Sequence, residues 1–408
     1  MNFCLVNQFF APDPAPTGQL LADVARGLAA AGHAVTVICA GTAYTKGEAG
    51  ECAIPGVSVH RIPCTRFGHG HAARLASYAS FQAGVLGRLL LGPRPDFLLT
   101  LTTPPLLSLG GTIVKHLRGV RHVIWEMDLY PDVAVALGVF ASGSWLDRAI
   151  GALADLSRRH ADAVIALGPC MRARLLHRGI APEKVRVAEN WIDGALIAPQ
   201  PFPEGPALTV LYSGNLGLAH DIETVLGAMR RLNDSESFRF VFAGGGARRA
   251  ELESACRDHQ VTNAAFLPYV PQAGLAAHLG GCHAGLVTQN PATCGTVVPS
   301  KTYAFLAAGR PVIFVGPRDA TPARLIERFG CGWQIDPGDP AALVELLRLL
   351  AYQPEIARAA GRRARNAFLR SYDRTAGVAR ILAAFTAGVP DVAPAASLAP
   401  TSNPASSL

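Results

Sequence analysis

The chain has 408 residues, of which 50% are hydrophobic and 16% are charged, and its formal net charge is +7. This length is enough for two or three ordinary domains with a large core. Since the basic residues form no clustered Lys/Arg run and no aromatic-basic motif, the sequence predicts no nucleic-acid partner. A diphosphate substrate or an anionic membrane surface explains the charge as well.

The cysteines and the N-terminus bear on the cellular compartment. The chain contains nine cysteines, an odd number, and no Cys-x-x-Cys pair. We therefore expect neither a disulfide framework nor a zinc site, and a reducing cytoplasm fits best. The first residues have no basic segment and are typical of a buried strand rather than a signal peptide. No uninterrupted apolar run reaches transmembrane length.

Short apolar strands alternate with helical patterns along the chain, which predicts an α/β fold with parallel sheets covered by helices on both faces. A helix is predicted over residues 19–31, directly after the first strand and its proline-rich loop. The strands predicted in the first half are 3–6, 34–38, 97–101, 121–125, 163–166 and 185–187.

A proline-rich segment over residues 198–207 is interpreted as a linker between an N-terminal domain, 1–197, and a C-terminal domain, 208–388. The strands predicted in the second domain are 208–212, 239–243, 264–267, 284–287 and 312–315. Two doubly wound halves place a cleft between them, and ligands of such sheets bind beyond the carboxyl ends of the strands. The last helix is a candidate to pack back on the N-terminal domain, and the Ala/Pro/Ser-rich tail 389–408 is predicted to be disordered.

Two glycine-rich turns follow strands of the second domain. Residues 212–217 read Tyr-Ser-Gly-Asn-Leu-Gly, so Gly214, Asn215 and Gly217 are candidates to contact a ligand at a helix start. Gly244 begins a run of three glycines after another strand. Both turns also suit plain strand–helix connections. Neither forms Gly-x-Gly-x-x-Gly with an acid about 20 residues later, which argues against a nicotinamide cofactor.

Residues 295–313 predict a loop, a short helix ended by a glycine, and a buried strand. The loop brings small residues, a hydroxyl and a lysine to a helix start, where unpaired N–H groups and the helix dipole favour a phosphate. The candidate contacts are Thr296, Val297, Ser300 and Lys301. An ordinary helix–strand connection is the alternative.

Three carboxylates, Glu126, Asp128 and Asp132, follow the strand predicted at 121–125. An enzyme could use one of them as a general base or to bind sugar hydroxyls. The alternative is a solvated loop in which Asp132 caps a helix. The chain has no Asp-x-Asp and no histidine pair at metal-ligand spacing, so we expect no metal and no cofactor.

Three segments together resemble family 4 glycosyltransferases of the GT-B fold: "NWID" at 190–193, "YSGNLG" at 212–217 and "PSKTYAFLAAGRPVI" at 299–313. The resemblance spans roughly residues 3–385 and is greatest to the exopolysaccharide and O-antigen branch, including fucosamine-type transferases. It implies two Rossmann-like domains facing across a cleft. It also implies transfer of a sugar, with retention at the anomeric carbon, from a nucleotide-diphosphate donor to a glycan or lipid-linked acceptor.

The resemblance assigns roles to particular residues. It implies that Gly18 faces the donor phosphates from the N-terminal half and that Tyr269 and Val270 lie near the base, with uridine preferred. In the related branch "QDLWPE" stands at the carboxylate loop, which makes Asp128 the residue for acceptor or sugar contact. We take Asp128 and Lys301 as the candidate catalytic residues.

The chain departs from the family pattern in two places. Thr296 and Ala304 stand where the wider family has two glutamates, the second of which contacts the donor. The basic residue that usually follows the "GNLG" turn is missing, and His220 is a weak substitute because histidine is only partly protonated near neutral pH. These departures leave the donor open and allow a lowered activity.

Residues 53–125 contain eight Lys/Arg and one acid. Val85, Leu86, Leu89 and Leu90 form an apolar stripe beside Arg88, which predicts peripheral contact with an anionic membrane. A core helix with ordinary solvated arginines is the alternative.

Two other functions remain open on the sequence. A sugar-nucleotide epimerase with the same architecture would convert the donor without an acceptor. A non-catalytic partner would bind a nucleotide sugar or another transferase and would show neither transfer nor donor hydrolysis.

Overall fold

The computed structural model describes residues 1–13, 15–42, 53–65 and 70–386. The predicted tail at 389–408 and Arg66 of the basic region lie outside the described residues. Within the described ranges the chain forms two parallel sheets of seven and six strands, one from each half of the sequence. The predicted α/β class with two doubly wound halves is confirmed.

The first sheet has the strand order β3-β2-β1-β4-β5-β6-β7, with every pairing parallel. Its strands are β1 Asn2–Val6, β2 Ala34–Ala40, β3 Val57–Ile62, β4 Phe97–Thr100, β5 Arg121–Trp125, β6 Ala163–Ala166 and β7 Val185–Val187. The edge strand β3 was not predicted. Its middle residues include a serine, a histidine and an arginine that stay partly exposed, so it lacks the apolar run of the central strands.

The helices of this half connect the parallel strands. They are α1 Pro16–Ala30, α2 His71–Leu91, α3 Leu107–Arg118, α4 Asp132–Ala136, α5 Trp145–His160 and α6 Pro169–His177. The first begins three residues earlier than predicted because Pro16 starts it. Proline is well suited to the first turn of a helix, where its missing N–H has no partner to lose.

The second sheet has the order β10-β9-β8-β11-β12-β13, again parallel throughout. Its strands are β8 Leu208–Ser213, β9 Phe238–Ala243, β10 Ala264–Leu267, β11 Ala284–Thr288, β12 Val312–Val315 and β13 Gly332–Ile335. The helices are α7 Glu223–Arg231, α8 Ala247–Asp258, α9 Leu275–Gly280, α10 Lys301–Ala307, α11 Thr321–Phe329, α12 Pro340–Tyr352, α13 Pro354–Ala367 and α14 Arg374–Thr386. The edge strand β13, with glutamine between its apolar residues, was not predicted either.

Helix α14 returns from the second half to the first. Its Val378, Ile381 and Phe385 are buried in the same cluster as the first sheet. The Phe385 ring lies 5.5 Å from Phe3 and 6.2 Å from Phe97, in edge-to-face contacts. The last described helix therefore joins the two halves in addition to the linker.

The apolar stripe predicted on residues 85–90 for membrane contact belongs to the core. Val85 and Leu89 are buried on the face of α2 that packs against the first sheet, and Leu86 and Leu90 pack against the same cluster. That part of the membrane prediction is wrong, because these side chains are already covered by the sheet. No helix in the described part of the chain is both long and apolar enough to cross a membrane.

Candidate functional site

The candidate site lies where the two halves meet, at the carboxyl ends of β8 and β9 and at the loop before α10. Gly214 follows β8 with φ +128°, a conformation that strongly favours glycine. A Cβ atom on Gly214 would lie 2.8 Å from Cε of Lys301, so the lysine side chain runs directly across this residue. The turn after β8 and the loop before α10 thus form one surface.

Lys301 presents a single cation to that surface. Its Nζ lies 3.3 Å from Nε2 of His220 and 5.1 Å from the ring centroid of Tyr212. Burial lowers the pKa of Lys301 to about 8, because the charged form has lost much of its hydration. An anion bound beside Nζ would restore the favourable environment of the ammonium group.

His220 does not replace the missing cation, which corrects that prediction. The side chain is buried, and its Nδ1 lies 2.7 Å from the carbonyl oxygen of Thr288. Burial, with a further contribution from the positive charge of Lys301, lowers the pKa of His220 to about 3. The imidazole is therefore neutral at physiological pH.

The second glycine turn packs against the first. Gly244 has φ +125°, and a Cβ atom there would collide with the backbone carbonyl of Gly214. Tyr269, which follows β10, is 61% exposed and would lie 3.1 Å from a Cβ atom on the neighbouring Gly245. The exposed ring thus stands next to the glycine turn and is available for a flat ligand.

The remaining residues of these turns have simpler surroundings. Asn215 is exposed, and its backbone carbonyl accepts a hydrogen bond of 2.7 Å from the Tyr212 hydroxyl. Gly217 follows in the same turn and is partly buried. Val270 is partly buried against Gly274. The Tyr212 hydroxyl therefore fixes the shape of the turn, a role that the sequence did not suggest.

The loop before α10 is held from both sides. Thr296 is fully buried, and its hydroxyl donates to the carbonyl of Thr293 at 2.9 Å. The carbonyl of Val297 accepts a hydrogen bond of 3.2 Å from the Gln289 side chain. Ser300 is exposed just before α10, and its side chain makes no capping hydrogen bond. Thr296 is thus committed to its own loop, whereas the Ser300 hydroxyl is open to a ligand.

Asp128 approaches this loop from the other half. The backbone N–H of Leu129 donates to the carbonyl of Thr296 at 2.8 Å, which ties the end of β5 to the loop before α10. Asp128 itself is partly buried, and its own N–H donates to the hydroxyl of Thr102 at 3.2 Å. Burial and the nearby charge of Glu126 raise the pKa of Asp128 to about 6.

The two neighbouring carboxylates are bound elsewhere. Glu126 is buried, and Arg158 donates to it from Nε at 2.7 Å. Asp132 lies 3.1 Å from Arg178 and 3.6 Å from Arg174. Of the three carboxylates, Asp128 is therefore the one placed to meet a ligand.

Gly18 has a packing role in this structure. It is the third residue of α1, and a Cβ atom there would lie 3.0 Å from Cα of Phe10 and 3.1 Å from the backbone nitrogen. The missing side chain lets the loop after β1 close over the start of the helix. Contact of Gly18 with donor phosphates stays a prediction.

Within residues 1–13, 15–42, 53–65 and 70–386, no group of three or more His, Cys, Asp or Glu side chains could hold a metal ion. The candidate site instead combines one lysine, exposed backbone turns and one carboxylate. Metal-independent activity stays a prediction.

The architecture and the site define a class of α/β proteins with two parallel-sheet domains, in which the candidate site lies where the two halves meet. The family model for the glycosyl transferase 4-like domain matches residues 17–191, and the model for glycosyl transferases group 1 matches residues 196–367. The chain therefore belongs to the family 4 glycosyltransferases of the GT-B fold.

Curated relatives agree with this assignment. The chain is 27% identical to the glycosyltransferase WbjE of Pseudomonas aeruginosa over 317 residues, which cover 74% of this chain and 78% of the relative. It is 26% identical to the colanic acid biosynthesis glycosyl transferase WcaI of Escherichia coli strain K12, over 85% of this chain and 91% of the relative.

Solved structures show the same fold at low identity. Sucrose-phosphate synthase from Thermosynechococcus elongatus superposes with a TM-score of 0.76 at 16% identity, over 95% of this chain and 98% of that chain. Anabaena HepE, solved with UDP and glucose, superposes with a TM-score of 0.70 at 14% identity, over 95% and 99% of the two chains.

Proposed function

We propose that this glycosyltransferase transfers a hexosyl or N-acetylhexosaminyl group, with retention at the anomeric carbon, from a UDP-sugar to a glycan or lipid-linked acceptor in cell-surface polysaccharide synthesis. The similarity to WcaI, a colanic acid biosynthesis glycosyl transferase, supports the pathway, and the structure of HepE with UDP supports the nucleotide. The free thiols of the described cysteines fit a reducing cytoplasm as the place of action.

The observation that carries the proposal is the lysine laid across the glycine turn. The missing side chains at Gly214 and Gly244 let Lys301 and the two turns pack closely together, so a diphosphate would meet the lysine and the backbone turn at one point. Lys301 supplies a positive charge at the same point. A leaving diphosphate gains negative charge as the glycosidic bond breaks, and a fixed cation in a partly buried site stabilises that charge more than water does.

Asp128 is proposed to contact the acceptor or the transferred sugar. The hydrogen bond between Leu129 and Thr296 holds it beside the donor loop, on the N-terminal side of the cleft. Its raised pKa leaves it mostly ionised at neutral pH yet able to take up a proton, as expected of a group that assists a hydroxyl. Departure of the diphosphate and attack of the hydroxyl then share one face of the sugar.

The donor is tested by thermal unfolding of the purified protein with UDP-, GDP-, ADP- and dTDP-sugars, with magnesium or with a chelator. We expect a UDP-sugar to raise the melting temperature by a few degrees and to do so equally in both buffers, because a ligand of the folded state shifts the unfolding equilibrium.

Product analysis of the same samples separates the alternatives. Hydrolysis or transfer that releases UDP supports the transferase, and the anomeric configuration of the product tests retention. Conversion of the donor into its epimer without an acceptor would show an epimerase. The absence of a shift with every nucleotide would favour the non-catalytic partner.

We also propose peripheral contact with a membrane through a surface of α3 and α5, which is distinct from the stripe at residues 85–90. The outer sides of α3 and α5 expose large apolar side chains, among them Ile113, Leu117, Trp145, Leu153 and Leu156. Trp145 is 76% exposed and Leu117 is 69% exposed. On α5, Trp145, Leu153 and Leu156 recur at helical spacing, so they form one strip along the helix.

Contacts between the two helices join their apolar surfaces. The rings of His116 and His160 lie 4.9 Å apart, and the hydroxyls of Thr112 and Ser157 lie 3.0 Å apart. Arg148 and Arg159 are exposed on α5, so the face is basic as well as apolar. An amphipathic surface of this composition suits anionic lipid, where aromatic and aliphatic side chains enter the interface and arginines meet the headgroups.

Replacing both Trp145 and Leu153 with glutamate should lower binding to phosphatidylglycerol-containing vesicles by at least about tenfold, since it removes apolar contact and adds like charge. Co-sedimentation with vesicles measures the effect, and vesicles of phosphatidylcholine alone should bind the wild type weakly. Tyr352→Glu, at an 84% exposed aromatic residue on α12, is the matched control and should bind normally. Equal binding by all three proteins would contradict the proposal.

A further inference from the structure

We propose that His220 is a positioning residue for the donor site: as a neutral imidazole it accepts a hydrogen bond from Lys301 and holds the ammonium group at the turn after β8. The chain would thus meet the donor diphosphate with a lysine from α10 that is fixed by a buried histidine after β8. This inference rests on the proposed function of the same site.

The hydrogen-bond geometry fixes the tautomer of His220. Its Nδ1 lies 2.7 Å from the carbonyl oxygen of Thr288, which can only accept, so Nδ1 carries the proton and donates. The other nitrogen, Nε2, then has a free lone pair. It lies 3.3 Å from Nζ of Lys301, and an ammonium group can only donate. The backbone carbonyl of Asn215 is a second hydrogen-bond partner of the ring. With Nδ1 donating to Thr288, Nε2 is the nitrogen that faces Lys301.

The Lys301 side chain packs along two residues of the strand end and its turn. Its aliphatic part crosses Gly214, with Cε 2.8 Å from where a Cβ atom would stand, and Nζ faces the ring of Tyr212 at 5.1 Å. Tyr212 is itself buried and bound to the backbone of Asn215. Of the three neighbours Gly214, Tyr212 and His220, the histidine is the one whose side chain lies within hydrogen-bond distance of the ammonium group.

The charges around His220 oppose its protonation. Besides Lys301, Arg248 on α8 faces it and donates to its backbone carbonyl at 3.0 Å. Arg248 is bound in turn by Glu251 at 2.9 Å and Glu223 at 3.5 Å. A second positive charge on the imidazole would lie directly against the ammonium group, so the pair carries a single charge.

Two variants test whether His220 acts as a hydrogen-bond acceptor for Lys301 or only fills space beside it. His220→Gln can place a carbonyl oxygen near the Nε2 position, whereas His220→Leu fills the space without an acceptor. The readout is the titration of Lys301 by carbon NMR of labelled lysine, since the chain has only four lysines and Lys301→Ala assigns the signal. Removing an acceptor from an ammonium group destabilises its charged form.

We expect the pKa of Lys301 to fall by about one pH unit in His220→Leu and to stay near the wild-type value in His220→Gln. The leucine variant should also bind UDP at least about tenfold more weakly at pH 7.5, with the glutamine variant within about threefold of wild type. Circular dichroism and the melting temperature confirm that both variants fold.

An unchanged lysine titration in the leucine variant would overturn the positioning role. The role would also be overturned if the UDP affinity of the wild type decreased as the pH rises from 6 to 7 while that of the glutamine variant did not. That pattern would show that a protonated histidine binds UDP. If the lysine titration behaves as expected while no protein binds UDP, the contact stands and the proposed donor is wrong. The two failures are therefore distinguishable.

Discussion

Replacement of Lys301 by alanine should lower the turnover number by about 10²–10³-fold while leaving the fold intact. In the described part of the chain, Lys301 is the cation whose side chain crosses the turn after β8. Without it, the charge that develops on the departing diphosphate would depend on backbone N–H groups and the start of α10. The measurement is UDP release from the UDP-sugar that gives the largest thermal shift, at saturating donor, with and without acceptor.

Lys184→Ala is the matched control for this prediction, because Lys184 lies in the N-terminal half and donates to the carbonyl of Arg159, away from the turn. It should retain wild-type turnover. The pH dependence gives a second check: since the pKa of Lys301 in the free protein is about 8, donor affinity of the wild type should weaken as pH rises through 8. Near-normal turnover by Lys301→Ala would remove the lysine from the mechanism.

The central strands and the edge strands β7 and β10 could be predicted from the sequence, whereas the edge strands β3 and β13 could not. β1, β4, β5 and β12 are short apolar runs because both faces of a parallel sheet are covered by helices. β3 is covered less completely and carries polar residues, so its pattern is weaker. Hydropathy alone also could not tell a core helix from a membrane-binding one. The spacing of Val85 and Leu89 fits both a core helix and a membrane-binding helix. Only their packing against the sheet shows that they belong to the core.

The site could be predicted in part. Glycines after strands and a lysine before a helix are local signals, and the structure brings Gly214, Gly244 and Lys301 together. The state of a polar side chain, however, depends on partners far away in the sequence. His220 is neutral because of Thr288 and burial, and Glu126 is unavailable because of Arg158. No local pattern contains that information.

Glu126 and Asp132 are bound by arginines, whereas Asp128 has no arginine partner among the described residues, so its replacement is the second change with a large expected effect. Asp128→Asn should lower kcat/KM by about 10²–10⁴-fold at pH 7.5, since an amide of the same shape can neither take up a proton nor bind a hydroxyl as a charged acceptor. Initial rates of UDP release in the presence of acceptor measure the loss. Asp234→Asn, at an exposed loop of the other half, is the control and should be unaffected.

The pH profile tests the charge on Asp128 directly. Burial raises its pKa to about 6, so the carboxylate is ionised above pH 6 and is lost as pH falls through that value. Wild-type activity should therefore fall about tenfold for each unit below pH 6, and Asp128→Asn should lack this limb. The variant should not melt at a lower temperature at pH 7.5, because a raised carboxyl pKa means that the charged form costs folding stability there. An unchanged acid limb in the variant would assign the titration to another group and leave Asp128 without a proton-accepting role in the reaction.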